Sequence, residues 1–369
     1  MNAMRAAVLV DANEALRVTD VGLDRPGPKE VLVKMAAAGV CHSDWHVMQG
    51  DLPVPLPAIL GHEGAGVVEE VGEEVTRVKP GDHVVLSWIP SCGHCFYCLK
   101  GRPDMCDEAF NIQLSGSLPG NVMRLHWDEG PLHHYLGTSC FAEKTVVPDT
   151  GVIPIDPAIA LNKAALVGCA VTTGFGAVVH TAHVAPGDSV TVIGCGGVGL
   201  NVIQTARLAG ADPIIAIDAN GKKSELAKTF GATHFIDATQ SDDLITPVID
   251  LTKGIGTDFA FEVIGREETI EAAYGMVRKA GMAVIIGVAP PHMDVSFNAF
   301  SFPSQSKILT GSWYGQSVPA VDIPRILGLY QRGRLNLDDL VTQSYSLEHI
   351  NDAFQALIQG TVARGVIEF

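Results

Sequence analysis

Four cysteines fall within fifteen residues, as Cys92-x2-Cys95-x2-Cys98-x7-Cys106. Four thiolates at that spacing can enclose Zn2+ tetrahedrally and leave no open position, which makes a structural site rather than a reactive one. Two disulfides or redox thiols are the competing reading, and disulfides require an oxidising compartment. The lobe around these cysteines (91–107) has little apolar content, so bound metal would have to hold it. A second motif, Val190-Thr-Val-Ile-Gly194-Cys-Gly196-Gly197-Val198-Gly199, sets G-x-G-x-x-G between a strand-like run and a helix-like stretch at 200–208. Its glycines suit a tight turn, close approach to a pyrophosphate, and close helix–sheet packing. Asp218 ends the next apolar run, nineteen residues after Gly199. A carboxylate there accepts hydrogen bonds from a ribose hydroxyl and repels a 2′-phosphate. Ala219, Asn220 and Gly221 follow it and no Arg does, so NAD is expected over NADP.

Three further residues have the chemistry of metal ligands but no spacing that joins them. Cys41 sits in Gly39-Val-Cys-His-Ser-Asp44, His62 in Gly61-His-Glu-Gly-Ala-Gly66, and Cys169 in Leu166-Val-Gly-Cys169. Taken singly, each also reads as a buried core residue. Cys140 and Cys195 carry no assignment, although Cys195 occupies a small-residue slot in the glycine loop.

The elements that must position these groups have two different grains. Runs at 31–35, 66–71 and 82–88 are short and strand-like, separated by Pro and Gly. From about residue 190, six apolar runs follow at 190–193, 214–217, 234–236, 259–263, 283–288 and 308–311. Helix-forming stretches separate most of them, notably 222–230 and 267–279. That alternation is the pattern of βαβ units and a parallel, doubly wound sheet. Beyond about residue 313 come one helix-like stretch (347–359) and a closing strand (365–369). The chain therefore reads as an α/β insertion within a β-rich domain, with 1–170 and 314–369 forming one domain and 171–313 the other.

The chain has 369 residues, 47% hydrophobic and 18% charged, which excludes a disordered or fibrous protein. Its net charge of −16 argues against nucleic acid or an anionic membrane as a partner. The N-terminus lacks the long apolar core of a signal peptide, and the uncharged run 164–179 is interrupted by threonines and glycines. A cytoplasmic protein with reduced cysteines is the expectation.

The Gly61–Gly66 segment, the four-cysteine lobe and the glycine loop occur together in one order, and in this the sequence resembles the zinc-dependent medium-chain alcohol dehydrogenases. The resemblance runs from Cys41 to Arg364. It implies a GroES-like catalytic domain carrying a Rossmann domain, and it makes Cys41, His62 and Cys169 ligands of a catalytic Zn2+ beside the structural one. Such a zinc favours ionisation of an alcohol, whose hydride passes to NAD. Ser43 and His46 would relay the released proton, Asp44 would orient His62, and Glu63 would lie near the metal. By the same resemblance, His42 and Arg364 reach the pyrophosphate, Lys223 the adenosine ribose, and Thr173 and Val198 the nicotinamide. His42 stands where many members have Arg, which implies weaker pyrophosphate binding at high pH.

Trp88 would narrow the inner channel in favour of primary alcohols, and Leu52, Phe110 and Leu118 would extend it for medium-chain, aromatic or allylic ones. The branch acting on the glutathione adduct of formaldehyde has an acid and an Arg where Leu52 and Phe110 stand, so a thiol-adduct formaldehyde dehydrogenase is the second reading. A non-enzymatic NADH sensor with a zinc module is the third. The 107–136 segment borders the expected pocket, and members with this longer segment imply a homodimer, for which 283–313 would supply the contact.

Overall fold

The computed structural model describes residues 2–240 and 243–369; Met1, where the expected 1–170 segment begins, lies outside them. Two compact units emerge, one formed by Met1–Cys169, Val318–Arg332 and Leu337–Phe369, the other by Ala170–Ser317 and Gly333–Asn336. The expected cut after 313 thus moves. Residues 314–317 stay with the second unit, where the Ser317 hydroxyl donates to the Thr172 carbonyl at 3.4 Å. Residues 333–336 join it because the Asn336 N–H donates to Gln204 Oε1 at 2.7 Å.

The first unit is built on β structure. Strand Glu30–Gly39 is the hub of a seven-stranded sheet and pairs antiparallel with Glu63–Val71, Lys144–Pro148 and Arg364–Glu368. Eight of its ten residues are buried, since side chains pack against it from both faces. A second sheet of six short strands is centred on Asn2–Leu9 and Arg17–Leu23. Both sheets drain into one apolar core that includes Leu9, Leu32, Met35, Ile59, Phe141 and Phe354.

The 107–136 segment is ordered by distant partners. Helix Asp107–Ser115 ends on Gly116 in the left-handed conformation. Strand Leu125–Trp127 then pairs with Arg17–Leu23. Arg124 ion-pairs with Glu30 at 2.8 Å, and His126 pairs with Asp24 at 2.7 Å. His134 is buried and accepts the Arg124 N–H through Nε2 at 3.2 Å; burial drives its pKa down to about 3, so it is a neutral acceptor.

The second unit holds six parallel strands. The pairing order runs His234–Asp237, Ile214–Asp218, Val190–Ile193, Thr257–Glu262, Val277–Ile285, Ile308–Gly311. Val190–Ile193 and Ile214–Asp218 are buried along their whole length, as strands covered on both faces must be, and apart from Thr191 and the terminal Asp218 they are apolar. Helix Gly197–Ala209 leaves the first strand through the glycine loop and stops at Gly210 in the left-handed conformation. The helix expected over 267–279 ends at Met276 instead. Val277 enters the next strand by pairing with Thr257, a tertiary pairing that overrides local preference.

No single helix among the described residues is long and apolar enough to cross a membrane. The 164–179 run is broken at Cys169, whose backbone is non-helical (φ −141, ψ −74).

Candidate active site

In the first unit, strand register brings separated ligands together. Gly39 pairs with Glu63, so Cys41, two residues beyond the first strand, faces His62, which precedes the second. Cys169 follows the short 3-10 turn Leu166–Gly168. One ligand atom from each of Cys41, His62, Glu63 and Cys169 lies within 4.8 Å of all the others, and all four residues are buried. His62 Nδ1 is 3.1 Å from Asp44 Oδ1, which also accepts the Gly61 N–H at 3.0 Å. With Nδ1 engaged, Nε2 is the nitrogen left to bind metal. The Cys169 thiol donates to Cys41 and holds it well below the ordinary thiol range, although burial opposes this; the same bond raises Cys169. Two soft sulfurs and one imidazole, buried together, suit Zn2+.

Glu63 forms a buried ion pair with Arg364. Burial raises the Glu63 carboxyl to about 7 despite the guanidinium. Arg364 is only 2% exposed, and its Nε has no hydrogen-bond partner among the described residues.

The other four clustered cysteines, Cys92, Cys95, Cys98 and Cys106, also bring their sulfurs within 4.8 Å of one another. Backbone N–H groups point at these sulfurs, Cys95 to Cys92 and Cys92 to Cys106 at 3.3 Å, and Cys98 to Cys95 at 3.5 Å. The Cys98 N–H pulls the Cys95 thiol down to about 6. Such donors favour thiolates, the form that binds metal. All eight cysteines are free thiols. Cys140 is raised by burial, and Cys195, also buried, is pushed up to about 12.

In the second unit the glycine loop has the shape a dinucleotide needs. A Cβ on Gly199 would collide with the Gly194 carbonyl, whereas at Gly196 it would meet nothing within 4 Å, leaving space against the backbone. Gly194 itself is left-handed (φ +101). Asp218 Oδ2 accepts the Cys195 N–H at 2.7 Å and Lys223 Nζ at 3.0 Å, and Oδ1 accepts the Asn220 N–H at 2.8 Å. Each carboxylate oxygen has two lone pairs, so Oδ1 retains capacity for a ribose hydroxyl.

Residues 27–157 match the alcohol dehydrogenase GroES-like domain, and 197–331 match the zinc-binding dehydrogenase domain. An NDMA-dependent alcohol dehydrogenase from Amycolatopsis methanolica is 41% identical over 98% of both chains. An S-(hydroxymethyl)glutathione dehydrogenase from Saccharomyces cerevisiae is 39% identical over 98% of this chain and 95% of its own. The crystal structure of benzyl alcohol dehydrogenase from Acinetobacter calcoaceticus superposes with a TM-score of 0.95 at 31% identity, over 100% of both chains. The chain belongs to the zinc-dependent medium-chain alcohol dehydrogenases.

As a member of that family it is an NAD-dependent oxidoreductase that uses zinc and acts on small alcohols or aldehydes. Around the dehydrogenase's cysteine–histidine cluster, Ser43 Oγ lies 3.8 Å from Cys41 Sγ. His46 is partly exposed and pairs with Asp51 at 3.0 Å, while His42 is exposed. Trp88 meets the His62 ring edge-on at 6.3 Å. Tyr135 meets it from another element at 5.9 Å and 77°, a contact that no sequence pattern announces. Leu52 and Phe110 are partly buried. Leu118 departs from the expected channel: it has no exposed surface, its backbone is bridged to Val122, and it packs in the apolar core. In the second unit, Thr173 is buried and Val198 partly so.

Proposed function

We propose that this dehydrogenase interconverts primary medium-chain, aromatic or allylic alcohols and their aldehydes. The observation that carries the reading is the buried Cys41–His62–Cys169 cluster with Trp88 and Tyr135 both standing against its imidazole. Cys41, His62 and Cys169 would hold the catalytic zinc, Cys92, Cys95, Cys98 and Cys106 the structural one, and the Gly194–Gly199 loop with Asp218 the NAD. When bound, the zinc supplies Lewis acidity towards the alcohol oxygen and NAD accepts the hydride.

The chain's own groups do the rest. Asp44 fixes the tautomer of His62 by accepting from Nδ1. Ser43 accepts the alcohol proton and passes it outward, and His46, partly exposed and paired with Asp51, delivers it to solvent. Arg364, with an unpartnered Nε, and His42 would reach the cofactor pyrophosphate, Lys223 its ribose, and Thr173 and Val198 its nicotinamide. Two aromatic edges beside His62 exclude water and bulk near the reacting carbon, which favours a primary over a branched alcohol.

The test follows nicotinamide absorbance while straight-chain, aromatic, allylic and secondary alcohols are offered with NAD and with NADP. Turnover of long or aromatic primary alcohols with NAD is expected. Silence with every alcohol, together with turnover of a thiol–formaldehyde adduct, overturns the substrate class in favour of the activity named for the yeast relative. Trp88→Ala should raise kcat/KM for secondary alcohols about tenfold relative to primary ones, since each methylene of space is worth about 1–3 kcal/mol. An unchanged ratio removes Trp88 from the pocket. His46→Gln should lower kcat for alcohol oxidation by up to about 10²-fold, the lower end for a proton-transfer group. Stopped-flow rates at wild-type level would remove the relay role.

A homodimer is proposed through the outer edge of the strand Ile308–Gly311. That strand ends its sheet, Ile308 is 46% exposed, and Phe300 just before it is 76% exposed. Sedimentation at micromolar concentration tests it.

A further inference from the structure

Glu262 closes the strand Thr257–Glu262 and is fully buried. It lies opposite Ile193, so it stands beside the start of the glycine loop, where the strand order turns from one direction to the other. A carboxyl group is costly to bury unless donors surround it. Here one oxygen, Oε1, accepts three bonds of 2.8 Å, from the Ile264 N–H, the Gly265 N–H and the Thr269 hydroxyl. The main-chain carbonyl of the same residue accepts the Ile286 N–H at 2.8 Å and the Gly287 N–H at 3.1 Å. Four backbone N–H groups from two separate turns thus end on one residue.

Both turns leave the carboxyl ends of neighbouring strands, the edge at which doubly wound sheets take their ligands. The first turn backs directly onto the glycine loop, since a Cβ on Gly194 would come within 2.9 Å of Ile264 Cγ1. At the second, a Cβ on Gly287 would collide with the Gly265 nitrogen and come within 2.7 Å of Glu262 Oε2, so the two turns are in contact through that carboxyl. Oε2 is buried and has no hydrogen-bond partner among the described residues. Burial raises the pKa of the acid, against the pull of the three donors. A buried polar oxygen without a partner is an expense that packing alone does not explain.

We propose that the Glu262 carboxyl is the positioning residue of the cofactor crevice, holding the Val263–Gly265 turn against the glycine loop and thereby setting NAD affinity. It acts through backbone and touches neither alcohol nor metal. The inference rests on NAD lying along Gly194–Gly199, as proposed above.

The test uses the zinc-loaded enzyme and two variants. Thr269→Val removes one of the three donors while keeping shape. Glu262→Gln keeps an acceptor oxygen but loses the charge-assisted bonds. NADH binding is measured by nicotinamide fluorescence, with melting temperature, zinc content and steady-state constants alongside. The NADH Kd should rise about tenfold in Glu262→Gln and about threefold in Thr269→Val, and KM for NAD should follow. KM for alcohol and zinc content should hold within about twofold. Lower melting temperature with no separation of the two KM values overturns the positioning role, and Thr269→Val decides the matter if Glu262→Gln does not fold. Asp218→Ala is the control. If it weakens NADH while the other two variants do not, the role of Glu262 falls alone. If it leaves NADH affinity unchanged, the placing of NAD on this loop falls, and the role of Glu262 with it.

Discussion

Cys169→Ser should silence alcohol turnover and lower metal content from two zinc ions per chain to one, one for each sulfur cluster. A serine hydroxyl is a poor ligand for Zn2+ at neutral pH, because it stays protonated where the thiol ionises. The loss should be nearly complete, since the Lewis acidity has no substitute among the neighbouring side chains. Cys169 sits on a turn rather than inside a strand, so the substitution leaves the seven-stranded sheet intact. Circular dichroism and NADH binding should therefore match wild type. Metal analysis beside turnover checks the result: full activity with one zinc would place the chemistry elsewhere, and two zincs without activity would make Cys169 something other than a ligand.

Cys98→Ser should cost stability rather than chemistry. The lobe it belongs to shows large apolar side chains to solvent, with Phe96 at 65% and Leu99 at 75% exposure, so the lobe has almost no core of its own. Its helix, Phe96–Leu99, is a single turn with no buried residue, far too short to persist alone. Four thiolates around one ion are what remains to hold it. Zinc binding in small metal-dependent folds is worth about 10–16 kcal/mol, as much as the whole stability of a typical domain, about 5–15 kcal/mol. Local unfolding caps the loss, because the lobe can open without the sheets. The expected result is rapid proteolytic nicking between residues 92 and 106 and a melting temperature lower by about 5 °C or more. A variant as protease-resistant as wild type would show that something other than metal holds the lobe.

Different parts of the molecule were legible in the sequence for different physical reasons. The six parallel strands were visible because strands covered on both faces must be mostly apolar, as Val190–Ile193 and the Ile214–Ile217 part of Ile214–Asp218 are. The four-cysteine lobe was visible because its ligands are neighbours in sequence. The Cys41–His62–Cys169 cluster was not, except by resemblance, because the Gly39–Glu63 register that assembles it is a tertiary fact. The 107–136 segment resisted reading for the same reason: its partners, Asp24 and Glu30, lie 102 and 94 residues from His126 and Arg124. Leu118 was expected on a channel wall and is in the core, since residue type does not say which way a side chain points. Tyr135 and Glu262 gave no signal of their own, one being an ordinary core aromatic and the other a lone acid after an apolar run.

The insertion of one unit within the other also orders events on the ribosome. The second unit is nearly continuous in sequence and is complete at Asn336, so it can close before the first unit does. The β-rich unit cannot, because its central strand Glu30–Gly39 waits for Arg364–Glu368, and Glu63 waits for an ion-pair partner 301 residues away. Until those residues emerge, a buried carboxyl beside Cys41 and His62 has no cation, and one edge of the sheet stands open. Newly made chains therefore pass through a stage in which the nucleotide-binding half is finished and the metal-binding half is not. Chaperone dependence and zinc supply should matter most in that interval.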